Sequence, residues 1–257
     1  EICACLVGSE MCIRDSSVAG ISAQSKTHVI AHRGYWDCEG SAENSITSLK
    51  KAVEIGVYGS ELDVWLTKDS VLIVNHNPTT LDGLKVEDCT AEQICKSKLK
   101  NGENIPLLID YLSAGKNQNK TKLIIELKEQ TGLEKQKLIA RKTVDMVKNL
   151  GIEDKVEYIT FSIITGDELI RLAPNAKVAY LSCNYSPAEL KQKGYTGIDF
   201  SYLCMKKHPH WYDEAKACGL TINVWTVNKK DQMLELIDKK VDYITTNDPL
   251  LLQELLK

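Results

Sequence analysis

The stretch "GSELDVWLTKDSVLIVNH", residues 59–76, holds two runs of β-forming residues set very close together. Between Val64 and Val71 stand only six residues, "WLTKDS". A parallel crossover takes roughly a dozen residues or more, so run 71–75 must fold back on run 59–64 as a hairpin. That inference sets the strand count. Nine strand-like runs are legible: 27–32, 59–64, 71–75, 122–127, 156–161, 177–182, 197–200, 221–227 and 242–246. Nine is one too many for an eight-stranded barrel, and removing the return arm leaves eight. Each of those eight follows its predecessor through a connection long enough for a crossover. Between most of them lie amphipathic helical stretches, "ENSITSLKKAVEIG", "LEKQKLIARKTVDMVKNLG" and "KKDQMLELIDKK" among them. "SPAELKQKG" adds a short helix with Ser before Pro at its first turn and Gly as its stop. Strand–helix alternation of this kind predicts a parallel α/β architecture, and a single (β/α)8 TIM-like barrel over 24–257 is the economical solution. Segment 77–121 is read as an insertion before the third barrel strand, with "TAEQICKSK" as a short helix and "PLLIDYLSAGK" as a longer one.

Size and composition agree with a globular barrel. The chain has 257 residues, is 43% hydrophobic and carries a net charge of −3 from 32 basic and 35 acidic residues. The charges are interspersed, with no basic stripe of the kind that binds nucleic acid. No apolar run approaches the ~18 residues of a membrane span, so stable membrane insertion is not expected. The first residues do not match the rest. "EICACLVGSEMCIRDS" has no clean period and resembles translated adapter sequence, while Ala19, Gly20, Ser22 and Ala23 resemble the end of a bacterial signal peptide. Residues 1–23 are therefore read as a non-native segment plus a signal-peptide remnant, and the mature chain is expected to be periplasmic or secreted, the alternative being an ordinary N-terminal leader on a cytoplasmic protein. Six cysteines lie beyond that segment: Cys38, Cys89, Cys95, Cys183, Cys204 and Cys218. None is spaced for zinc. An even count permits disulfides in an exported protein, but the sequence does not pair them, and free thiols packed as small hydrophobes are the expectation.

The polar residues of the strands collect at one end. Residues i and i+2 of a strand share a face, so Glu61 shares its face with Asp63, Glu126 with Lys128, and Asn223 with Trp225. Each group stands near the C-terminal end of its strand, where barrel enzymes carry their catalytic residues. Three carboxylates on one rim repel unless something positive lies among them. Glu61, Asp63 and Glu126 offer oxygen alone, a donor set suited to a hard cation, Ca²⁺ or Mg²⁺. The competing reading is a salt-bridged rim in which Lys128 and Arg33 neutralise them. His32 and His76 end two strand-like runs, and the hairpin brings His76 back towards the same rim. Two imidazoles flanking a cation suit cleavage of a phosphate ester, one taking a proton from the attacking oxygen and the other giving one to the leaving oxygen. His28, His208 and His210 have no such company and are read as structural. Asn44 or Ser45 caps the helix that follows. Gly34 is read as letting the backbone turn close to a ligand.

Taken together, "AHRGY…ENS" (31–45), "GSELDVWLTKDSVLIVNH" (59–76), "IIELK" (124–128), "NVWTVN" (223–228) and "DYITTNDP" (242–249) resemble the glycerophosphodiester phosphodiesterase family. The resemblance runs from about His28 to the end of the chain. It implies a TIM-barrel enzyme, dependent on Ca²⁺ or Mg²⁺, that cleaves glycerophosphodiesters to sn-glycerol 3-phosphate and an alcohol. It also implies His32 and His76 as the acid/base pair, Arg33 on the phosphate, and Glu61, Asp63 and Glu126 as metal ligands. Lys128 matches the basic residue beside the last ligand, Glu43 the acidic residue before the first helix, and Trp225 an aromatic wall. By similarity to related phosphodiesterases, the glycerol 2-hydroxyl attacks phosphorus and water opens the resulting cyclic phosphate. One departure is visible, since the family usually reads His-Asp where this chain has His76-Asn77.

Two alternatives stay open on sequence. A related barrel phospholipase, cleaving phosphatidylinositol or sphingomyelin, would need an apolar surface for the bilayer, and no long apolar segment is evident. A catalytically silent barrel binding phosphorylated ligands would not need both histidines and all three carboxylates. For Trp225, ordinary barrel packing competes with the substrate wall.

Overall fold

The turn at 67–71 is built from its own side chains. Thr67 donates from its backbone amide to the Val71 carbonyl at 3.0 Å, and its hydroxyl accepts from the Val71 amide at 3.0 Å. Ser70 takes the left-handed conformation, φ 59°, that a turn this tight requires. The chain reverses there, and Val64 pairs with Val74 and Leu66 with Leu72 in an antiparallel ladder. The return arm read from the sequence is therefore present.

The computed structural model describes residues 27–257, and the segment 1–23 read as a leader lies outside the described residues. All nine strands are found: β1 (His28–Ala31), β2 (Gly59–Leu66), β3 (Leu72–Val74), β4 (Lys122–Leu127), β5 (Val156–Thr160), β6 (Val178–Tyr180), β7 (Gly197–Ser201), β8 (Thr221–Trp225) and β9 (Tyr243–Thr246). Eight of them are parallel, in the order β1-β9-β8-β7-β6-β5-β4-β2, and β2 pairs with β1 to close the barrel. The arm β3 hangs on β2 outside the ring.

Period-two alternation sorts each strand into two faces. Val29, Leu62, Ile125, Ile198, Phe200 and Ile222 point outward into one continuous core shared with the helices. Ile30, Ile124, Ile159, Leu181 and Tyr243 point inward and fill the barrel. Helices start where the sequence provides caps. Ser45 is the cap of Ile46–Glu54, accepting from the Ser48 amide at 2.9 Å, and Ser186 forms a capping box with Glu189 ahead of Pro187–Gln192. Within 77–121, Val86, Ala91, Ile94 and Leu99 build a small core of their own against Trp65 and Ile73. The helix Leu108–Lys116 instead buries Tyr111 and Leu112 in the main core.

One expectation is corrected. Cys183 and Cys204 are not free thiols. They form a disulfide with their α-carbons 6.2 Å apart, joining the loop after β6 to the helix Tyr202–Lys207 after β7. Cys38, Cys89, Cys95 and Cys218 are free, as expected. Gly34, φ 78°, lies where the chain packs tightly against the first helix. A β-carbon there would lie 2.7 Å from the Ser48 Cβ and 2.8 Å from its backbone carbonyl carbon.

Candidate active site

The cleft opens at the C-terminal ends of the strands. It encloses ≈ 240 Å³ and is lined by His32, Arg33, Glu61, His76, Glu126, Lys128 and Trp225, with Asp63 directly behind Arg33 and Lys128. The sequence-derived candidates therefore meet in one place. Glu43 stands at its edge, bonded to Arg33 Nη1 at 2.5 Å.

β2 and β4 lie in register with Asp63 opposite Glu126, so the carboxylates approach because the strands pair as they do. Glu61, Asp63 and Glu126 each offer an oxygen, and the three oxygens lie within 4.8 Å of one another. All three residues are buried. Lys128 Nζ reaches Asp63 Oδ1 at 2.7 Å and Glu126 Oε1 at 2.6 Å, so part of the salt-bridged alternative is real. It does not account for Glu61. That residue accepts the Arg33 amide on Oε2 at 2.7 Å, while its Oε1 is buried without any hydrogen-bond partner. An orphaned carboxylate oxygen in an all-oxygen cluster fits a hard cation as the missing partner. The donor set can hold such an ion.

The electrostatics follow from that crowding. Burial, then the charges of Asp63 and Glu126, push Glu61 well above the usual carboxylate range. Burial and Asp63 lift Glu126 to about 8 against the pull of Lys128. Burial would also raise Asp63, but Lys128, His76 and hydrogen bonds from Lys128 and Asn44 outweigh it and hold that carboxyl at about 2. Burial works against the Lys128 ammonium, yet Asp63 and Glu126 prevail and hold it above lysine's ordinary range.

Each imidazole is pinned by an asparagine. His32 follows β1 directly, its amide donating to the Thr246 carbonyl at 2.9 Å, and its Nδ1 lies 2.6 Å from Asn247 Oδ1. His76 lies two residues beyond β3, with Nδ1 2.8 Å from Asn77 Oδ1. An amide oxygen only accepts, so each Nδ1 carries the proton and each Nε2 keeps its lone pair. The unusual Asn77 thus still supplies an acceptor where a carboxylate was expected. Burial, then the charge of Arg33, lowers His32 to about 4. His76 is lowered too, by burial and by Lys128 and Arg33, with Asp63 opposing.

Arg33 adopts φ 58°, a conformation rare for a residue with a side chain. Its amide is tied to Glu61, and its carbonyl accepts from the Asn44 amide and the Ser48 hydroxyl, both at 3.0 Å. The strained turn aims the guanidinium into the cleft. Trp225 donates from Nε1 to the Asp199 carbonyl at 2.8 Å and packs edge-on against Phe161 at 5.6 Å. Those rings and Leu181 make an apolar wall facing the charged side.

Sequence reasoning missed several residues. Of the two cap candidates, Ser45 is the cap, and Asn44 is instead buried and hydrogen-bonded to Asp63. Asn247, Phe161 and Asp199 were not singled out. Asn247 stands just past the C-terminal end of β9, the position that identified the others, and Asp199 breaks the otherwise apolar run of β7. Both signals were readable.

The sequence pattern of the Glycerophosphoryl diester phosphodiesterase family matches residues 32–251. The chain belongs to that family. A glycerophosphodiester phosphodiesterase of Caldanaerobacter subterraneus subsp. tengcongensis is 30% identical over 239 residues, covering 87% of this chain and 95% of that protein. A crystal structure of a glycerophosphodiester phosphodiesterase from Parabacteroides distasonis superposes with a TM-score of 0.88 at 44% identity, over 91% of this chain and 98% of that one. An Oleispira antarctica phosphodiesterase, solved with the product sn-glycerol-3-phosphate, has a TM-score of 0.75 over 89% of this chain and 96% of that one. At 21% identity it shows the shared fold alone. As a glycerophosphodiester phosphodiesterase, the chain is an enzyme that hydrolyses phosphoric diesters.

Proposed function

We propose that the enzyme splits glycerophosphodiesters into sn-glycerol 3-phosphate and an alcohol with His32 and His76 as the acid/base pair and with Ca²⁺ or Mg²⁺ held by Glu61, Asp63 and Glu126. The observation that carries this reading is the unpartnered Glu61 Oε1 beside two other buried carboxylates, with two Nδ1-pinned imidazoles on the same cleft. A bound divalent cation would supply positive charge for the oxygens on phosphorus.

The protein's own groups do the rest. Arg33 can fork onto the non-bridging oxygens of the diester, and Glu43 holds its far nitrogen in place. Lys128 keeps Asp63 and Glu126 together. One imidazole removes the proton of the glycerol 2-hydroxyl as that oxygen bonds to phosphorus. The other protonates the departing alcohol oxygen as its bond to phosphorus breaks. Water then opens the cyclic phosphate with the two roles exchanged. Trp225 and Phe161 cover the CH groups of the glycerol. The departing alcohol leaves along a groove between Glu43 and Lys100 that segment 77–121 helps to line, which gives that segment its influence on head-group preference.

We also propose that the enzyme works in the periplasm or outside the cell. The Cys183–Cys204 bridge supports this, because disulfides persist in oxidising compartments. Cell fractionation with thiol labelling of those two cysteines tests it, and a cytoplasmic, reduced protein would end the proposal.

One assay tests the reaction. The protein is incubated with glycerophosphocholine, glycerophosphoethanolamine and phospholipid vesicles, with and without chelator, and glycerol 3-phosphate is measured. Turnover insensitive to chelator would remove the cation, and turnover of vesicles alone would favour a phospholipase.

A further inference from the structure

Asp199 is a buried carboxylate that the reaction described above does not use. It sits in β7 between Ile198 and Phe200, which face the helices, so its own side chain faces the barrel axis. Around the ring, β7 stands four places from β2, directly across from Glu61 and Asp63. It therefore cannot join their cluster. Asp199 is 1% exposed, and its Oδ1 is buried with no hydrogen-bond partner. It lines the active-site cleft and also the ≈ 20 Å³ space beneath it, which makes it the floor between the two. Its strand partner Asn223 is engaged with Thr245, donating from Nδ2 to Oγ1 at 2.8 Å.

We propose that Asp199 binds the hydroxyl at the far end of the substrate's glycerol unit and so determines that the enzyme prefers glycerol diesters. The inference rests on the reading given under Proposed function. There the phosphate belongs to the side formed by β1, β2 and β4, and the 2-hydroxyl is consumed by the reaction. A three-carbon unit held at phosphorus on that side extends across the cleft towards β7. Ile159, Leu181 and Trp225 cover its CH groups but offer the remaining hydroxyl nothing from their side chains. A hydroxyl entering an apolar cleft must find a partner or lose its hydration uncompensated. Asp199 is in the same position with respect to its own Oδ1. Burial lifts its carboxyl to about 7, with the nearby Asn223 amide opposing, so near neutral pH it can serve as acceptor or donor. The variable alcohol faces the rim, where groups of different size have an exit, while the constant glycerol faces the floor.

The test compares two diesters with the same leaving group, glycerophosphocholine and the phosphocholine diester of propane-1,2-diol. The second keeps the attacking hydroxyl and lacks the far one. Wild type is expected to favour the glycerol diester by about 10- to 100-fold in kcat/KM, the size of one buried hydrogen bond with its partner left unpaired. Asp199→Ala is expected to bring the two within about threefold, mainly by slowing the glycerol diester, and Asp199→Asn, which keeps an acceptor oxygen, to restore part of the preference. An unchanged preference in Asp199→Ala, or equal losses on both diesters, would overturn the proposal. Equal losses are what a water in the small lower space, satisfying Asp199 alone, would produce. A second measurement needs no variant: wild type must bind sn-glycerol 3-phosphate more tightly than propane-1,2-diol 1-phosphate, and equal affinities would also overturn it. If wild type cleaves neither diester, the proposed function fails, and the binding comparison still decides Asp199.

Discussion

Asn44 grips Asp63 at two points: its Nδ2 donates to Asp63 Oδ2 at 2.7 Å, and its Oδ1 accepts from the Asp63 amide at 3.1 Å. One side chain thereby fixes both the backbone and the carboxylate of the residue at the centre of the acidic cluster. Asn44 itself is buried and sits at φ 60°, which asparagine tolerates better than most residues. The loop from β1 to the first helix is thus bound to β2 through the site as well as through the small core that Ala42 shares with Trp65.

Removing that grip should cost both stability and rate. Asn44→Gly keeps the backbone conformation and loses both bonds, leaving a buried amide and carboxylate oxygen short of partners, a cost of about 1–3 kcal/mol. Asn44→Ala adds the penalty of a left-handed backbone, about 1 kcal/mol more. Denaturant melts should rank wild type above Gly above Ala. Both variants should lose at least about tenfold in kcat/KM, each tenfold being worth about 1.4 kcal/mol of transition-state stabilisation. Normal kcat/KM in Asn44→Gly would show that Asp63 needs no such anchor.

Asn247 should act only through His32. Asn247→Ala frees the ring and its tautomer, and a loss of about tenfold in kcat with little change in KM is expected. His32→Ala should cost about 10²-fold or more by itself. In the double variant the two losses should not multiply, because an orienting residue has nothing left to orient. Fully multiplicative losses in steady-state kinetics would give Asn247 a separate role.

The barrel and the charged half of the site were legible because both depend on periodicity. Alternation along β2 and β4 put Glu61 with Asp63 and Glu126 with Lys128, and strand ends put them on one rim. The six-residue gap in "WLTKDS" disclosed the return arm and with it the count of eight. What escaped depends on contacts between distant positions. Asn44 meets Asp63 across 19 residues, and His32 meets Asn247 across 215. No local pattern encodes either distance. The Cys183–Cys204 pairing is of the same kind, since it exists only because the loop after β6 and the helix after β7 are neighbours on the closed ring. Asp199 differs: an acid inside "GIDFS" was a visible anomaly, and its meaning required knowing which face of β7 looks inward.

Gly34 should be intolerant for packing reasons. Gly34→Ala would meet Ser48 and also suffer the positive φ of that position. A loss of about 2 kcal/mol or more is expected by denaturant melts. Ser48→Gly should recover only part of it, because the Ser48 backbone carbon also stands within 2.8 Å of the new methyl. Full stability in Gly34→Ala, with only KM raised, would instead support a direct role for Gly34 at the ligand.

Asp199 should make stability depend on pH in one direction. Its carboxyl is raised from the ordinary 3.8 to about 7 in the folded state, by burial, with the nearby Asn223 amide opposing. Between those values the folded protein binds more protons at this site than the unfolded chain, so the contribution of Asp199 to stability falls as pH rises from about 4 to 7. Below that window the protonated acid is tolerated, and above it a charge is held where burial disfavours it. Asp199→Asn does not titrate. Its Tm relative to wild type should therefore climb as pH goes from about 4 to 7 and level off above, with the other ionising groups common to both proteins cancelling in the difference. Paired melts at pH 4, 5, 6, 7 and 8 measure it. A difference that stays flat across the series would mean that Asp199 is ionised throughout, its Oδ1 satisfied by a partner such as a buried water.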